Sequence, residues 1–400
     1  MRIGIITSRY GSLIVKNLLR EFKDVDLKVI ELPIDFITNI YIEDILQFID
    51  PKIIEDLDII IFPGTILGDV GNFTRKFKIK AIKGTKNISE LPIVIKALRS
   101  GIELSSTLPA DYLLPNHKKE FEEEILQDFR KSRRVLLSIG DESTRIIEIR
   151  ENIPIILAEI IDATLRSEEE VLKIAKYYVS EGADIIDIGA SVIKAKPEKV
   201  RRLVRLIKRE LKVPVSIDSF NKDEIETAIE ADVNLILSVT SRTIEKYVNY
   251  EIPIVLIPDT HYEPEETINY FKKVLDVIES KKHVILDPIL KAPCQGLGRS
   301  LTTYYLTRKY FPENALLMGV GNVTELYDAD SIGINALLAS IAVELNINLL
   351  LTTEASYKTI RAVSELKKAI DMSVRAYAIN KTPKDMSINL LICKKKLLST

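Results

Sequence analysis

The chain predicts an α/β protein: a (β/α)8 barrel preceded by a small flavodoxin-like or Rossmann-like α/β domain. Three observations carry this. From Ile153 onward, short apolar runs alternate with amphipathic stretches. Two of those runs, Val213-Pro214-Val215-Ser216-Ile217-Asp218 and His283-Val284-Ile285-Leu286-Asp287-Pro288, close on an aspartate. The first ~150 residues form a separate strand-helix group of their own, and a doubly wound sheet is the competing arrangement for the rest.

Taken in order, strands at 2–7, 27–31 and 58–62 with a helix near 12–22 define the amino-terminal domain, residues 1–150. A charged helix from His117 to Arg133 leads into a hairpin, 134–139 and 144–150. The barrel spans 151–376. Its strands are the apolar runs near 154–160, 184–188, 213–217, 234–239, 253–257, 283–287, 315–320 and 347–352. Helices are expected over Glu168–Ser180, Pro197–Leu211, Asn221–Glu230 and Pro264–Ser280, with Pro or Asn at starts and Gly182 at an end. A last helix, Tyr357–Ala376, closes the count at eight. The tail, 377–400, holds one strand candidate, Ser387–Cys393.

Composition excludes several classes. With 46% apolar and 28% charged residues and a net charge of −2, nothing attracts a polyanion, so nucleic acid is not a partner. No apolar run approaches ~20 residues, so no membrane span is expected. Met1 to Thr7 reads as a strand rather than a signal peptide, and a cytoplasmic enzyme is the default. Two cysteines, Cys294 and Cys393, build neither a disulfide framework nor a metal site.

In a parallel barrel the carboxyl ends of the strands line the active site. Read in order, these ends offer Asp162 and Thr164, then Asp187 with Ser191 and Lys194. Asp218, Ser238 and Thr240, and Asp259 with His261 follow, and after them Asp287, Asn322, and Thr353 with Glu354. Six carboxylates around one opening cannot all ionise side by side. They require a ligand rich in N–H donors, a metal, or both, and a 2-amino-4-oxo-pyrimidine edge fits a carboxylate in a two-pronged pairing.

Bland readings stand beside these. Asp218 also reads as a helix cap, although Asn221 is better placed, and Pro288 weakens a cap role for Asp287. Asp187 reads equally as a buried structural carboxylate, Asp259 and His261 as loop residues, and Cys294 as incidental. In the amino-terminal domain, Ser8-Arg9-Tyr10-Gly11-Ser12, Gly64-Thr65 and Gly68-Asp69-Val70-Gly71-Asn72 suit ordinary turns as well as a ligand loop. No GxGxxG is present.

Gly182-Ala183-Asp184-Ile185-Ile186-Asp187-Ile188-Gly189, Ser216-Ile217-Asp218-Ser219 and Leu286-Asp287-Pro288 resemble the pterin-binding barrel family, over roughly residues 150–375. That family includes dihydropteroate synthases and pterin-dependent methyltransferases. An added amino-terminal domain is similar to the archaeal dihydropteroate synthase-like layout. The resemblance implies Asp287 and Asp218 as pterin carboxylates. It puts Asp162 and Thr164 near a leaving pyrophosphate and its Mg²⁺, with Asp162 as metal ligand, and makes Lys194 a pyrophosphate cation. Asp187, Ser191, Ser238 and Asp259 enter as further substrate contacts. Asn322 resembles the methyltransferases' Ser-Asn-Val.

The pattern is also broken. Leu237 and Ser238 stand where synthases carry Asn-Asp, and Thr352, Thr353 and Glu354 stand where they carry Arg-x-His. Lys291 and Arg299, the latter opening a helix after Gly296, are candidate replacements for the missing anion ligands. The resemblance thus implies a synthase-like transferase joining a dihydropterin-6-methyl pyrophosphate to a p-aminobenzoate-type amine in folate or methanopterin synthesis. Methyl transfer from a methyltetrahydropterin to a corrinoid protein, and a pterin-binding protein without turnover, are the alternatives. Pairing as a homodimer is a further implication of the resemblance.

Overall fold

The computed structural model describes residues 1–22, 24–260, 263–278 and 283–391. It divides into two compact units, Met1–Gln127 with Ala378–Ser387, and Asp128–Tyr377 with the residues from Ile388.

In the first unit, β1 (Arg2–Thr7), β2 (Asp26–Glu31), β3 (Ile59–Phe62) and β4 (Lys80–Lys83) form a parallel sheet in the order β2-β1-β3-β4. β4 is an addition to the three expected strands. Its Lys80-Ala81-Ile82-Lys83 is too short and too lysine-rich to read as a strand, yet Ala81, Ile82 and Lys83 are buried. Two apolar clusters hold the sheet, one containing Ile3, Ile5 and Ile61, the other Ile6, Ile60 and Phe62. This is the side-to-side alternation of a sheet covered on both faces.

The second unit begins with the hairpin, β5 (Val135–Ile139) and β6 (Ile147–Arg150). Eight parallel strands follow: β7 (Ile155–Ile160), β8 (Ile185–Gly189), β9 (Val215–Asp218), β10 (Leu235–Val239), β11 (Ile254–Leu256), β12 (Val284–Leu286), β13 (Leu317–Gly319) and β14 (Leu349–Thr352). Their order is β12-β11-β10-β9-β8-β7-β14-β13, and a parallel bridge from Leu286 to Leu316 joins the two ends. That closure makes the sheet a (β/α)8 barrel rather than an open doubly wound sheet.

The expected boundary at residue 150 is displaced for a physical reason. Leu137, Ile139 and Ile149 of the hairpin are buried in the same core as Leu157, Ile185, Leu235, Ile285 and Leu349 of the barrel strands. Each such side chain, fully buried, contributes about 1.5–3 kcal/mol, enough to commit the hairpin to the barrel. Residues 378–387, expected as tail, belong to the first unit: Lys381 pairs with Glu90 at 2.7 Å, and the backbone N–H of Ser387 donates to Glu122 at 3.1 Å. Residues 387–391 form no strand, and the remainder of that expected strand lies outside the described residues.

The helices follow their sequence signals closely. Glu168–Glu181 opens with a Ser167/Glu170 capping box and ends at Gly182 with φ +108°. Pro197–Leu211 has proline in its first turn, and Asn221 caps Lys222–Glu230 by accepting from Glu224 N–H at 3.1 Å. The last helix is shorter than expected, a single 3₁₀ turn at Tyr357–Thr359 preceding Ala362–Ala378. Among the described residues no helix is long and apolar enough to cross a membrane.

Candidate active site at the barrel mouth

Alternation along the strands builds the site. On β7, Ile155 and Leu157 point into the barrel core, so Glu159 points inward two residues later, at the strand's carboxyl end. On β8, Ile185 points inward, and Asp187 and Gly189 follow on the same face. Register then sets the neighbours: Glu159 lies beside Asp187, Asp187 beside Ser216, and Gly189 beside Asp218. Two carboxylates thus stand at one height on adjacent strands, with a third one step higher.

Oxygen atoms of Glu159, Asp187 and Asp218 all lie within 4.8 Å of one another. Asp187 is wholly buried. Its Oδ1 accepts the Ser216 hydroxyl at 2.5 Å, and its Oδ2 is buried with no partner. Asp218 Oδ1 accepts the Ser238 hydroxyl at 2.6 Å. Ser238 reaches it because β10 carries an irregularity between Ile236 and Val239, where Ser238 adopts φ +59°. Gly189 is required for space: a Cβ there would sit 2.5 Å from Glu159 Oε1.

Electrostatics follow from crowding and burial. Burial, then the charges of Asp218 and Asp162, push Glu159 up to about 7. Burial, then Asp218 and Glu159, hold Asp187 well above the carboxylate range, against the pull of the Ser216 hydrogen bond. Burial raises Asp218, and its bond from Ser238 opposes this. The trio therefore keeps protons near neutral pH, as close carboxylates must.

Asp287 completes the group. Its Oδ1 accepts from Tyr304 Oη at 2.7 Å and from Ile289 N–H at 2.8 Å. Burial raises it to about 6, with the Tyr304 and Ile289 hydrogen bonds opposing and the charge of Asp218 adding a little. At the end of the adjoining strand β13, Asn322 donates its amide N–H to Leu290 O at 2.9 Å, three residues after Asp287. Asn322, Glu159, Gly319, Thr352 and Thr353 line a cavity of about 220 Å³. Thr353 Oγ1 donates to Glu159 O at 3.0 Å, and Thr352 Oγ1 is buried without a partner.

Of the residues read from sequence, Asp187, Asp218, Ser238, Asp287 and Asn322 are positioned by the strand ends. The others lie beyond the strand ends. Asp162 is exposed with φ +52°, and the carboxylate cluster contains Glu159 in its place. Thr164 and Ser191 are buried and tie two loops together, Ser191 N–H donating to Thr164 Oγ1 at 3.1 Å. Lys194 is exposed. Asp259 accepts from Ser241 N–H and from Tyr270 Oη, each at 3.0 Å, which cross-links the loops after β10 and β11. Arg299 is exposed and pairs with Glu263 at 2.6 Å. Glu354 accepts from Arg361 N–H at 3.0 Å and Val363 N–H at 3.1 Å, capping the last helix. His261 lies outside the described residues.

Sequence reading missed Glu159 and Tyr304. The signal for Glu159 was present as the alternation Ile155, Leu157, Glu159. It was masked because the other face of a barrel strand is equally apolar. Tyr304 gave none, since it reaches Asp287 from the helix Leu297–Tyr310.

Fold and site define a parallel barrel whose mouth is a group of proton-holding carboxylates suited to a small ligand with several N–H donors. Residues 160–285 match the family described as pterin binding enzyme. An uncharacterized protein of Methanocaldococcus jannaschii is 32% identical, over 99% of this chain and 78% of its own. The dihydropteroate synthase of Clostridium beijerinckii is 29% identical over 29% of this chain and 52% of its own, so the chain spans about half of that relative. The solved Yersinia pestis dihydropteroate synthase covers 61% of this chain and 100% of its own at 16% identity and a TM-score of 0.49. The chain belongs to the pterin-binding enzyme family.

Proposed function

We propose that this chain is a dihydropteroate synthase-like transferase, which condenses a dihydropterin-6-methyl pyrophosphate with a p-aminobenzoate-type amine and releases pyrophosphate. The observation that carries the reading is the carboxylate group Glu159, Asp187, Asp218 and Asp287 at one barrel mouth. Asp287, oriented by Tyr304, pairs with the exocyclic amine and ring N–H of the pterin. Asp218, fixed by Ser238, takes a second N–H, and the carbonyl oxygen of Asn322 a third.

Attack of the amine on the exocyclic methylene breaks the C–O bond to pyrophosphate, and the amine's proton leaves to solvent. Positive charge developing on the pterin draws Asp218 and Asp287 toward their ionised forms and is favoured beside them, so the work is electrostatic rather than covalent. Lys194, in the open loop after β8, is the side chain assigned to the leaving anion. The trio's donor set fits a hard cation, with three carboxylates in mutual reach and one oxygen buried without a partner. Mg²⁺ held there by Glu159, Asp187 and Asp218 would supply charge to offset the pyrophosphate.

A second reading, methyl transfer from a methyltetrahydropterin, draws on one observation: Arg299 is engaged by Glu263, away from a pyrophosphate role. Incubation with dihydropterin pyrophosphate, p-aminobenzoate and Mg²⁺ separates the two. Stoichiometric pyrophosphate release with dihydropteroate formation is expected. Pterin binding without release would move the assignment to methyl transfer or to binding alone.

A further inference from the structure

A cavity larger than the one at the barrel mouth lies in the amino-terminal unit. In the amino-terminal unit the strand order β2-β1-β3-β4 reverses direction of growth between β1 and β3. Loops leaving two such strands diverge, and a crevice opens outside their carboxyl ends. A cavity of about 620 Å³ lies at that point, within the range of small-molecule sites. Its walls are the loops after all four strands, and residues 380–385 of the same unit close one side.

The lining has two characters. At the rim, Tyr10 and Phe36 stack with ring centroids 5.2 Å apart and planes at 31°, yet they are 65% and 69% exposed. An aromatic pair left in water at a cavity's edge offers a platform for a flat ring. The polar part lies by the start of the helix Arg9–Leu18, where Ser8 accepts from Gly11 N–H at 3.3 Å. Gly11 lets the first turn pack close, since a Cβ there would lie 2.3 Å from Thr7 Oγ1. Lys86 and Lys384 also line the cavity, as do Asp385 and Asp111, the latter accepting from Lys86 N–H at 2.8 Å. Among the described residues, Lys384 has no acidic partner, and Thr65 Oγ1 is buried without any hydrogen-bond partner. An apolar ligand would leave the lysine and the threonine hydroxyl unused, and a free inorganic anion would leave the aromatic pair unused.

We propose that this cavity binds a mononucleotide, with its ring on Tyr10 and Phe36 and its phosphate between the helix start, Thr65 and Lys384. The site is independent of the pterin reading, because its lining residues all belong to the amino-terminal unit.

The test is calorimetric titration of the full chain with AMP, GMP and FMN separately, beside adenosine, guanosine, riboflavin and inorganic phosphate. At least one mononucleotide is expected to bind one to one. Its unphosphorylated partner should bind at least about tenfold more weakly, and Lys384→Glu should weaken the mononucleotide by about tenfold. Tyr10→Ala and Phe36→Ala should each weaken it by about fivefold or more, as lost stacking does, and Asp287→Asn should leave it unchanged. The three cavity substitutions are at exposed positions, so thermal unfolding should match the parent. Failure of all three mononucleotides to bind overturns the proposal. So does equal affinity for the unphosphorylated partner, or binding lost in Asp287→Asn and kept in the Tyr10 and Lys384 variants.

Discussion

Ser216 donates its hydroxyl hydrogen to Asp187 Oδ1 at 2.5 Å, while Asp187 Oδ2, equally buried, has no partner. The carboxyl is held proton-bearing by burial and by Asp218 and Glu159. A neutral amide is therefore close to isosteric with the resting group. Asp187→Asn should leave ligand-free stability within ~1 kcal/mol of the parent. Mg²⁺ affinity, which needs the ionised form, should fall at least about tenfold. Urea unfolding and a Mg²⁺ titration check both. Marked destabilisation with Mg²⁺ binding intact would show Asp187 to be purely structural.

Stability should depend on pH in an unusual sense. Glu159 titrates at about 7 when folded against 4.5 as its ordinary value. Between those values the folded state holds the extra proton, so acid favours folding there. The contribution is fully present below 4.5 and is lost as pH rises through 7, at a cost on the order of 3 kcal/mol. Asp287 adds the same sign between 3.8 and about 6. Denaturation midpoints of the ligand-free protein should fall from pH 5 to 8, and Glu159→Gln should flatten the profile. A profile rising over that range would contradict the carboxylate cluster.

Gly189→Ala places a methyl 2.5 Å from Glu159 Oε1 and 3.1 Å from Ile160 O. The carboxylate can swing away and the backbone less so, which should cost about 1–2 kcal/mol of stability. Displacing Glu159 breaks up the trio, so Mg²⁺-dependent thermal stabilisation should vanish. Its persistence would show that Glu159 is not part of the site.

Tyr304→Phe removes one of two hydrogen bonds to Asp287 Oδ1 and leaves the one from Ile289. The ionised carboxylate loses support, so its titration moves above about 6. Pterin affinity at pH 7 should drop about five- to tenfold and partly recover at pH 8. A loss equal at both pH values would mean that Tyr304 acts by packing.

The fold was legible in the chain because barrel strands are buried on both faces and announce themselves as apolar runs; all eight are found, as is closure around Leu286 and Leu316. β4 escaped because Lys83 is buried and lysine argues against a strand interior. Asp218 and Asp287 were visible as carboxylates ending such runs. Glu159 was not, since a continuous apolar run conceals which positions face inward. Asp259 and Glu354 satisfied the same rule of position, but their partners, Ser241 and Tyr270 for one, backbone N–H groups for the other, are set by loop conformation that no strand pattern encodes.

The central claim is that a pterin edge is held at the barrel mouth by Asp218 and Asp287. The most direct measurement is a crystal structure of the chain soaked with a dihydropterin pyrophosphate. The aminopyrimidinone edge is expected within hydrogen-bonding distance of both carboxylates, with Asn322 completing the contact. A pterin bound outside the barrel mouth, or an empty mouth at saturating ligand, would contradict it.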